Sequence, residues 1–392
     1  MDFNLTEDRR MVLDTLSRYL QDQYPVEHRI KVAYDAPFHD PSKWSELAAL
    51  GLFSALADER VGGFDGTGFD IAVIFEALGK ALHCEPVLPL VMASRLLGSA
   101  GRDQQALLEG GHNYAVAISE PDAPYELNDI SCTATSDHRL SGRKSAVYGG
   151  QTAQTFLVAA KVGSTVNLYQ VEAHDAEVIS YGLIDGGGAA EVLLDDTQAE
   201  LLIENAAQAL SDAMNSGIVA LCAEAVGLMT VSYEMTVDYL RQRKQFGRPI
   251  GSFQALQHRA VDMLTEIEQA RSITIKAAAE LDGSQASRYA SMAKNLIGRA
   301  SRLVAEEAIQ LHGGIAMTWE YPVSHFAKRL IMLDHQLGDA DHHLSKVMVK
   351  PCISLIKLIQ DCADLAEFFV HQLHVISAFY VEPYNGLGVG GP

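Results

Sequence analysis

Between positions 243 and 263 the chain reads Arg243-Lys-Gln-Phe246-Gly247-Arg-Pro-Ile250-Gly-Ser-Phe253-Gln254-Ala-Leu-Gln257-His258-Arg-Ala-Val-Asp-Met263. An arginine, an aromatic ring and a glycine fall within five residues, followed by two amides and an imidazole. A guanidinium offers forked donors to phosphate oxygens and a ring offers an apolar face, so the cluster could hold a phosphate and a ring together. The same residues would also serve a plain helical hairpin with solvated Arg and Gln. Gly247 and Pro249 break a helical period that runs through about Tyr239. Apolar residues then recur at Phe253, Leu256, Ala260, Met263, Leu264 and Ile267, one face of a second helix. The cluster therefore occupies a helix-turn-helix corner.

The elements that must position it belong to a chain of 392 residues, 48% hydrophobic and 20% charged, long enough for two or three sub-domains. A formal net charge of -20 speaks against a sequence-independent grip on nucleic-acid phosphates. Five cysteines, Cys84, Cys132, Cys222, Cys352 and Cys362, show no CxxC spacing, which predicts reduced thiols, no metal site and a cytoplasmic protein. The first ten residues lack the apolar core of a signal peptide. The apolar stretch Ile353 to Tyr380 is broken by Lys357, Asp361, Asp364, Glu367 and His371, so it predicts an amphipathic helix rather than a membrane span.

Four regions follow in order. Residues 1–113 are predicted helical, with Thr6 as an N-cap, a short helix from Trp44 stopped by Gly51, a turn at Glu59 to Phe64 and a helix from Phe69 to Leu82. Residues 114–207 are predicted β, from the runs Tyr114–Ile118, Ser145–Tyr148, Thr155–Ala159, Val166–Val171 and Glu191–Leu194 between Gly, Asp, Asn and Ser. Asp185-Gly186-Gly187-Gly188 lacks phosphate-loop spacing and reads as a flexible β turn. Residues 208–350 are predicted as a helical bundle, Ala213–Arg241, Phe253–Leu281, Ala286–Leu311 and a shorter helix after Gly338; Ala220, Ala223, Ala225 and Gly227 permit close packing. Residues 351–392 add the amphipathic helix and a Gly-rich tail. The fold class is α+β.

Ser119-Glu120-Pro121-Asp122-Ala123, the Arg243–His258 cluster, Gln310-Leu-His-Gly313-Gly314 and Glu320-Tyr321-Pro322-Val323, in this order, resemble the acyl-CoA dehydrogenase family over nearly the whole chain to about residue 350. The resemblance implies an N-terminal helical domain, a middle β-barrel or sandwich domain and a C-terminal four-helix bundle, with FAD between the last two. It implies that Arg243, Phe246, Gln310, Gly313 and Gly314 reach across to a neighbouring subunit's FAD, that Gln254 also binds the cofactor, and that Ser119 replaces a threonine that bonds flavin N5. Gly313-Gly314 would also suit a helix C-cap. The family reaction removes two hydrogens from an acyl-CoA thioester: a carboxylate takes the carbon 2 proton and a hydride leaves carbon 3 for the flavin. Electron-transferring flavoprotein is the implied acceptor.

Against that pattern, the usual glutamate falls on Leu337, before Gly338, and the alternative glutamate and arginine positions fall on Gly217 and Ile218. The β domain carries Pro124-Tyr125-Glu126 and Ala146-Val147-Tyr148 where the family has Gly-Ser-Asp and a flavin-covering Trp-Ile-Thr. The catalytic residue is thus unassigned. The resemblance then implies a partner subunit of a mixed tetramer whose related chain supplies the base. Alternatives are a homotetrameric enzyme with a displaced base among Asp334, His335, Asp339 and Asp341, or a flavin-free homologue used for assembly.

Overall fold

The computed structural model describes residues 7–64 and 66–349; the Thr6 cap, the Ile353–Tyr380 helix and the Gly-rich tail lie outside them. Seven helices come first: α1 (Glu7–Gln23), α2 (Val26–Val32), α3 (Pro41–Ala49), α4 (Leu52–Ala55), α5 (Gly68–Lys80), α6 (Val87–Ser99) and α7 (Gln105–Leu108). Thr67 starts α5 through a capping box with Asp70, satisfying backbone donors that have no partner inside the helix.

Eight strands follow: β1 (Tyr114–Ala117), β2 (Thr133–Ala134), β3 (Arg139–Tyr148), β4 (Thr155–Val162), β5 (Thr165–Glu172), β6 (Glu177–Gly182), β7 (Gly188–Gln198) and β8 (Glu200–Ile203). They form one sheet in the order β6-β7-β3-β2-β4-β5-β8, with β1 parallel to β4. Strand alternation explains the continuous apolar run of β4. Phe156, Val158 and Ala160 enter a core within the β region, whereas Leu157 and Ala159 enter the larger core shared with the helices.

The chain then returns to helix in α8 (Ala207–Gln242), interrupted at the corner by β9 (Lys244–Gln245) and β10 (Arg248–Pro249), and continues in α9 (Gln254–Ala279), α10 (Ala286–His312), α11 (Val323–Asp334) and α12 (Ala340–Val349). The helix after Gly338 is α12. The additional bundle helix is α11, which starts at the Glu320–Val323 motif and packs on α8 and α10. α8 is apolar and long enough to cross a membrane, yet 89% of its most apolar window is buried inside the fold. Its small residues matter: a Cβ on Gly227 would lie 2.2 Å from Glu76 O, and one on Gly79 would lie 2.2 Å from Glu224 O. The α5 and α8 backbones touch there, as the Ala/Gly pattern predicts.

Candidate functional site

α6, β1, β3, α8 and the corner between α11 and α12 enclose a cavity of about 260 Å³. Leu88, Pro89 and Met92 come from α6, Val116 from β1, Met214 from α8, and Leu337 and His335 from the corner. The β3 wall is shaped by a bulge. Pairing with β7 shifts between Lys144 and Val147, and Ala146 is held at φ +50°, a conformation costly for any residue but glycine. The bulge lets Ser145, Ala146, Val147 and Tyr148 all line the cavity. Ser119 lines it too. The next residue, Glu120, is structural: its carboxylate accepts from Ser131 N, Cys132 N and Lys144 Nζ, the last at 2.7 Å.

The two positions on which the resemblance places a base, Leu337 and Gly217, face one another. Leu337, at φ +56°, places Cδ1 2.7 Å from where a Cβ on Gly217 would sit, with Met92 Sδ 2.9 Å from the same point. Ile218 is buried. The corner holding Leu337 is firmly built. Lys294, fully buried, donates to Leu333 O, Asp334 O and Gly338 O at 2.9, 2.9 and 2.7 Å, and His343 Nε2 donates to Leu337 O at 2.9 Å. Burial pushes Lys294 down to about 8 and His343 down to about 3.

The displaced-base candidates separate. Asp334 Oδ1 accepts from Ala340 N, and Asp339 Oδ1 accepts from His342 N, so both carboxylates serve the start of α12 rather than a solvated acidic face. Neither lines the cavity, nor does exposed Asp341; His335 does.

The corner read as helix-turn-helix contains a hairpin. β9 pairs with β10, and Phe246 and Gly247 form its two-residue tip with φ +54° and +80°, the signs of a type I′ turn. Phe246 is 90% exposed. Phe253 meets its ring edge-on at 6.1 Å, and the Arg248 guanidinium lies 4.2 Å over the Phe253 ring. Arg243, Gln254, Gln310, Gly313 and Gly314 are also exposed. Gly313 caps α10 through its N–H to Ile309 O at φ +68°, and a Cβ on either glycine would meet nothing within 4 Å. The sequence-predicted cofactor residues thus divide: Ser119 lines the cavity, and the other six face outward.

Behind the cavity lies a charged cluster. Arg329 on α11 binds both Glu224 oxygens, at 2.7 and 2.9 Å, and Asp185 Oδ2 at 3.0 Å. Although burial opposes it, Arg329 holds the Glu224 carboxyl below the usual range. Asp185 also accepts through its backbone carbonyl from Arg29. The Asp185–Gly188 segment does link β6 and β7, but its aspartate is fully buried and clamped, which corrects the expectation of a flexible turn. Sequence reading missed Glu224, Lys294 and Arg329. Two carried a signal: Glu224 interrupts an apolar run, and Lys294 falls on the buried stripe of Ala290, Ile297, Ser301 and Val304.

A helical domain, a β sheet and a helical bundle together surround the lined cavity. The acyl-CoA dehydrogenase N-terminal domain matches residues 6–106, and the acyl-CoA dehydrogenase C-terminal domain matches residues 190–346. Acyl-CoA dehydrogenase IpdE2 of Mycobacterium tuberculosis is 31% identical over 330 residues, covering 82% of this chain and 91% of that one. IpdE2 of Mycolicibacterium smegmatis is 28% identical over 331 residues, covering 83% and 93%. Among solved structures, a variant of the steroid ACAD Tcur3481-Tcur3483 superposes with a TM-score of 0.81 at 25% identity, covering 91% and 99%. The ChsE4-ChsE5 complex of Mycobacterium tuberculosis shares the fold, with a TM-score of 0.82 at 23% identity over 90% and 100%. The chain belongs to the acyl-CoA dehydrogenase family: it is an FAD-dependent oxidoreductase of acyl-CoA, or a subunit of one.

Proposed function

We propose that this chain is the partner subunit of a mixed acyl-CoA dehydrogenase, completing the FAD site of a related chain that carries the base. The observation behind this is the apposition of Leu337 and Gly217, a leucine and a glycine that cannot take a proton at the two places where the resemblance puts a carboxylate. The residues present fit FAD unequally. Toward a neighbour, Arg243 offers forked donors for phosphate, Phe246 an exposed ring, and Gly313–Gly314 an open backbone that a dinucleotide can approach. Gln254 and Gln310 add exposed amides beside them. Toward its own cavity the chain offers Ser119, but Ala146 provides no aromatic cover.

FAD supplies the hydride chemistry when bound; this chain's residues bind, orient and exclude water. A steroid-derived thioester follows from the steroid ACAD neighbour, and electron-transferring flavoprotein is the acceptor we assign, in a cytoplasmic tetramer. The test is the FAD-to-chain ratio and native mass of the chain alone and co-expressed with related chains. Little flavin alone, rising to about half occupancy in a mixed tetramer, is expected. One FAD per chain and ordinary turnover in a homotetramer would overturn it. That outcome would favour a self-sufficient enzyme with a displaced base, for which we would take His335, the one of the four candidates that lines the cavity; His335→Ala would then abolish turnover. A mixed tetramer whose flavin content ignores Arg243→Ala would instead mark this chain as a flavin-free assembly subunit.

A further inference from the structure

A second, smaller cavity of about 60 Å³ adjoins the first, and Leu88, Pro89 and Tyr148 line both. About half of its lining is polar. His83 Nδ1, Glu85 Oε1 and Gln151 Oε1 all belong to side chains that line it, and each is buried without a hydrogen-bond partner. His83 is 7% exposed and Glu85 3%. Buried polar atoms are nearly always paired, and leaving one unmade costs about 1–3 kcal/mol. Three orphans in the lining of one small chamber, behind a largely apolar one, make a site for a ligand with an apolar body and a polar end.

We propose that the second cavity is a subsite for a hydroxyl group at the far end of an acyl-CoA's acyl chain, and that Tyr148 is the partition the chain end passes to reach it. This extends the proposed function by taking the first cavity, lined by Leu88, Met92, Val116, Met214 and Leu337, as the place of the acyl chain. The hydroxyl follows from the donors and acceptors present. Gln151 Oε1 can only accept. Burial pushes Glu85 up to about 7 even though hydrogen bonds from Tyr24 and Cys84 N oppose it, so its carboxyl presents either an acceptor oxygen or an O–H. A hydroxyl both donates and accepts and satisfies either form. Arg329 also lines this cavity, but Glu224 and Asp185 already hold its guanidinium, so a terminal carboxylate would meet the ionised Glu85 and Glu224 as like charges, and a terminal methyl would leave all three atoms unpaired.

The experiment is calorimetric binding of octanoyl-CoA, omega-hydroxyoctanoyl-CoA and the mono-CoA thioester of octanedioic acid to the full chain. The hydroxylated ligand should bind about tenfold tighter than the methyl-ended one, the worth of one or two net hydrogen bonds to buried groups. The carboxyl-ended ligand should bind more weakly than both. Gln151→Leu should reduce the hydroxyl preference while leaving octanoyl-CoA affinity unchanged, and Tyr148→Phe, which keeps the partition's shape, should preserve it. Equal affinity for the methyl- and hydroxyl-ended ligands, or a preference untouched by Gln151→Leu, would overturn the subsite. The wild-type comparison decides the matter even where a variant fails to fold. If none of the thioesters binds, the acyl-site reading falls with the subsite; if they bind without discrimination, the subsite alone falls. FAD content of a mixed complex is measured separately and tests the partner-subunit reading by itself.

Discussion

Leu337 Cδ1 stands 2.7 Å from the point where a side chain on Gly217 would begin. The corner between α11 and α12 and the first half of α8 therefore compete for one volume. The resemblance puts a carboxylate on one side or the other of that volume, and the residues there are a glycine and a leucine.

The two sides should respond differently to a restored glutamate. Leu337→Glu keeps a backbone already fixed by Lys294 and His343 and sends a carboxylate into the cavity. In FAD-loaded protein, exchange of the acyl-CoA carbon 2 hydrogen with deuterated solvent should rise by about 10² or more, the range a placed base supplies. Gly217→Glu instead overpacks against Leu337 and Met92, with a loss of about 1–3 kcal/mol visible as a lower melting temperature and no gain in exchange.

Arg243→Ala should leave the fold intact, because its side chain is exposed. FAD should bind a mixed complex about 10- to 100-fold more weakly, as expected for losing a charged hydrogen bond to phosphate. Flavin content after dialysis, set beside an unchanged melting curve, checks this.

Arg329→Met removes the cation between Glu224 and Asp185 and leaves two carboxylates in a buried place. A loss of about 3–5 kcal/mol is expected, read by chemical denaturation. Adding Glu224→Gln should restore part of it, and a double-mutant cycle that shows no coupling would refute the hub.

His343 gives a pH signature. Its folded pKa, about 3, lies below the unfolded value near 6.5, so the unfolded chain binds the extra proton between those values and stability falls as pH drops through that window. From pH 7.5 to 5 the wild type should lose about 2 kcal/mol relative to His343→Gln, which cannot titrate. Glu85 works in the opposite direction: its carboxyl is raised to about 7, so the stability it contributes is present at low pH and lost as pH rises toward 7. Both proteins contain Glu85, so the difference between their melting curves reports His343.

Much of the scaffold was legible because its signals are local. The apolar run Thr155–Ala159 announced β4, which the structure buries on both faces, and the breaks at Gly247 and Pro249 announced the corner. β6 was not legible, since Glu177–Gly182 lies mostly exposed at the sheet edge and carries little apolar pattern. Nor was the hairpin tip, because Phe246 is an unusual residue at positive φ. The vacancy at Leu337 could be counted from neighbouring motifs. Its contact with Gly217 could not, because residues 120 apart in sequence meet only through the packing of the bundle. The Asp185 clamp was hidden in the same way: its glycines signal a turn, while the cations that bury it come from α2 and α11.

Phe246 at its hairpin tip and Met317, 90% and 74% exposed, have a consequence for the cell. A chain made in excess of its assembly partners would display sticky apolar side chains of the kind that chaperones and proteases recognise. On the proposed reading as a partner subunit, its standing concentration would track the supply of the chain whose FAD site it completes, so that silencing that chain's gene would deplete this protein without touching its own transcript.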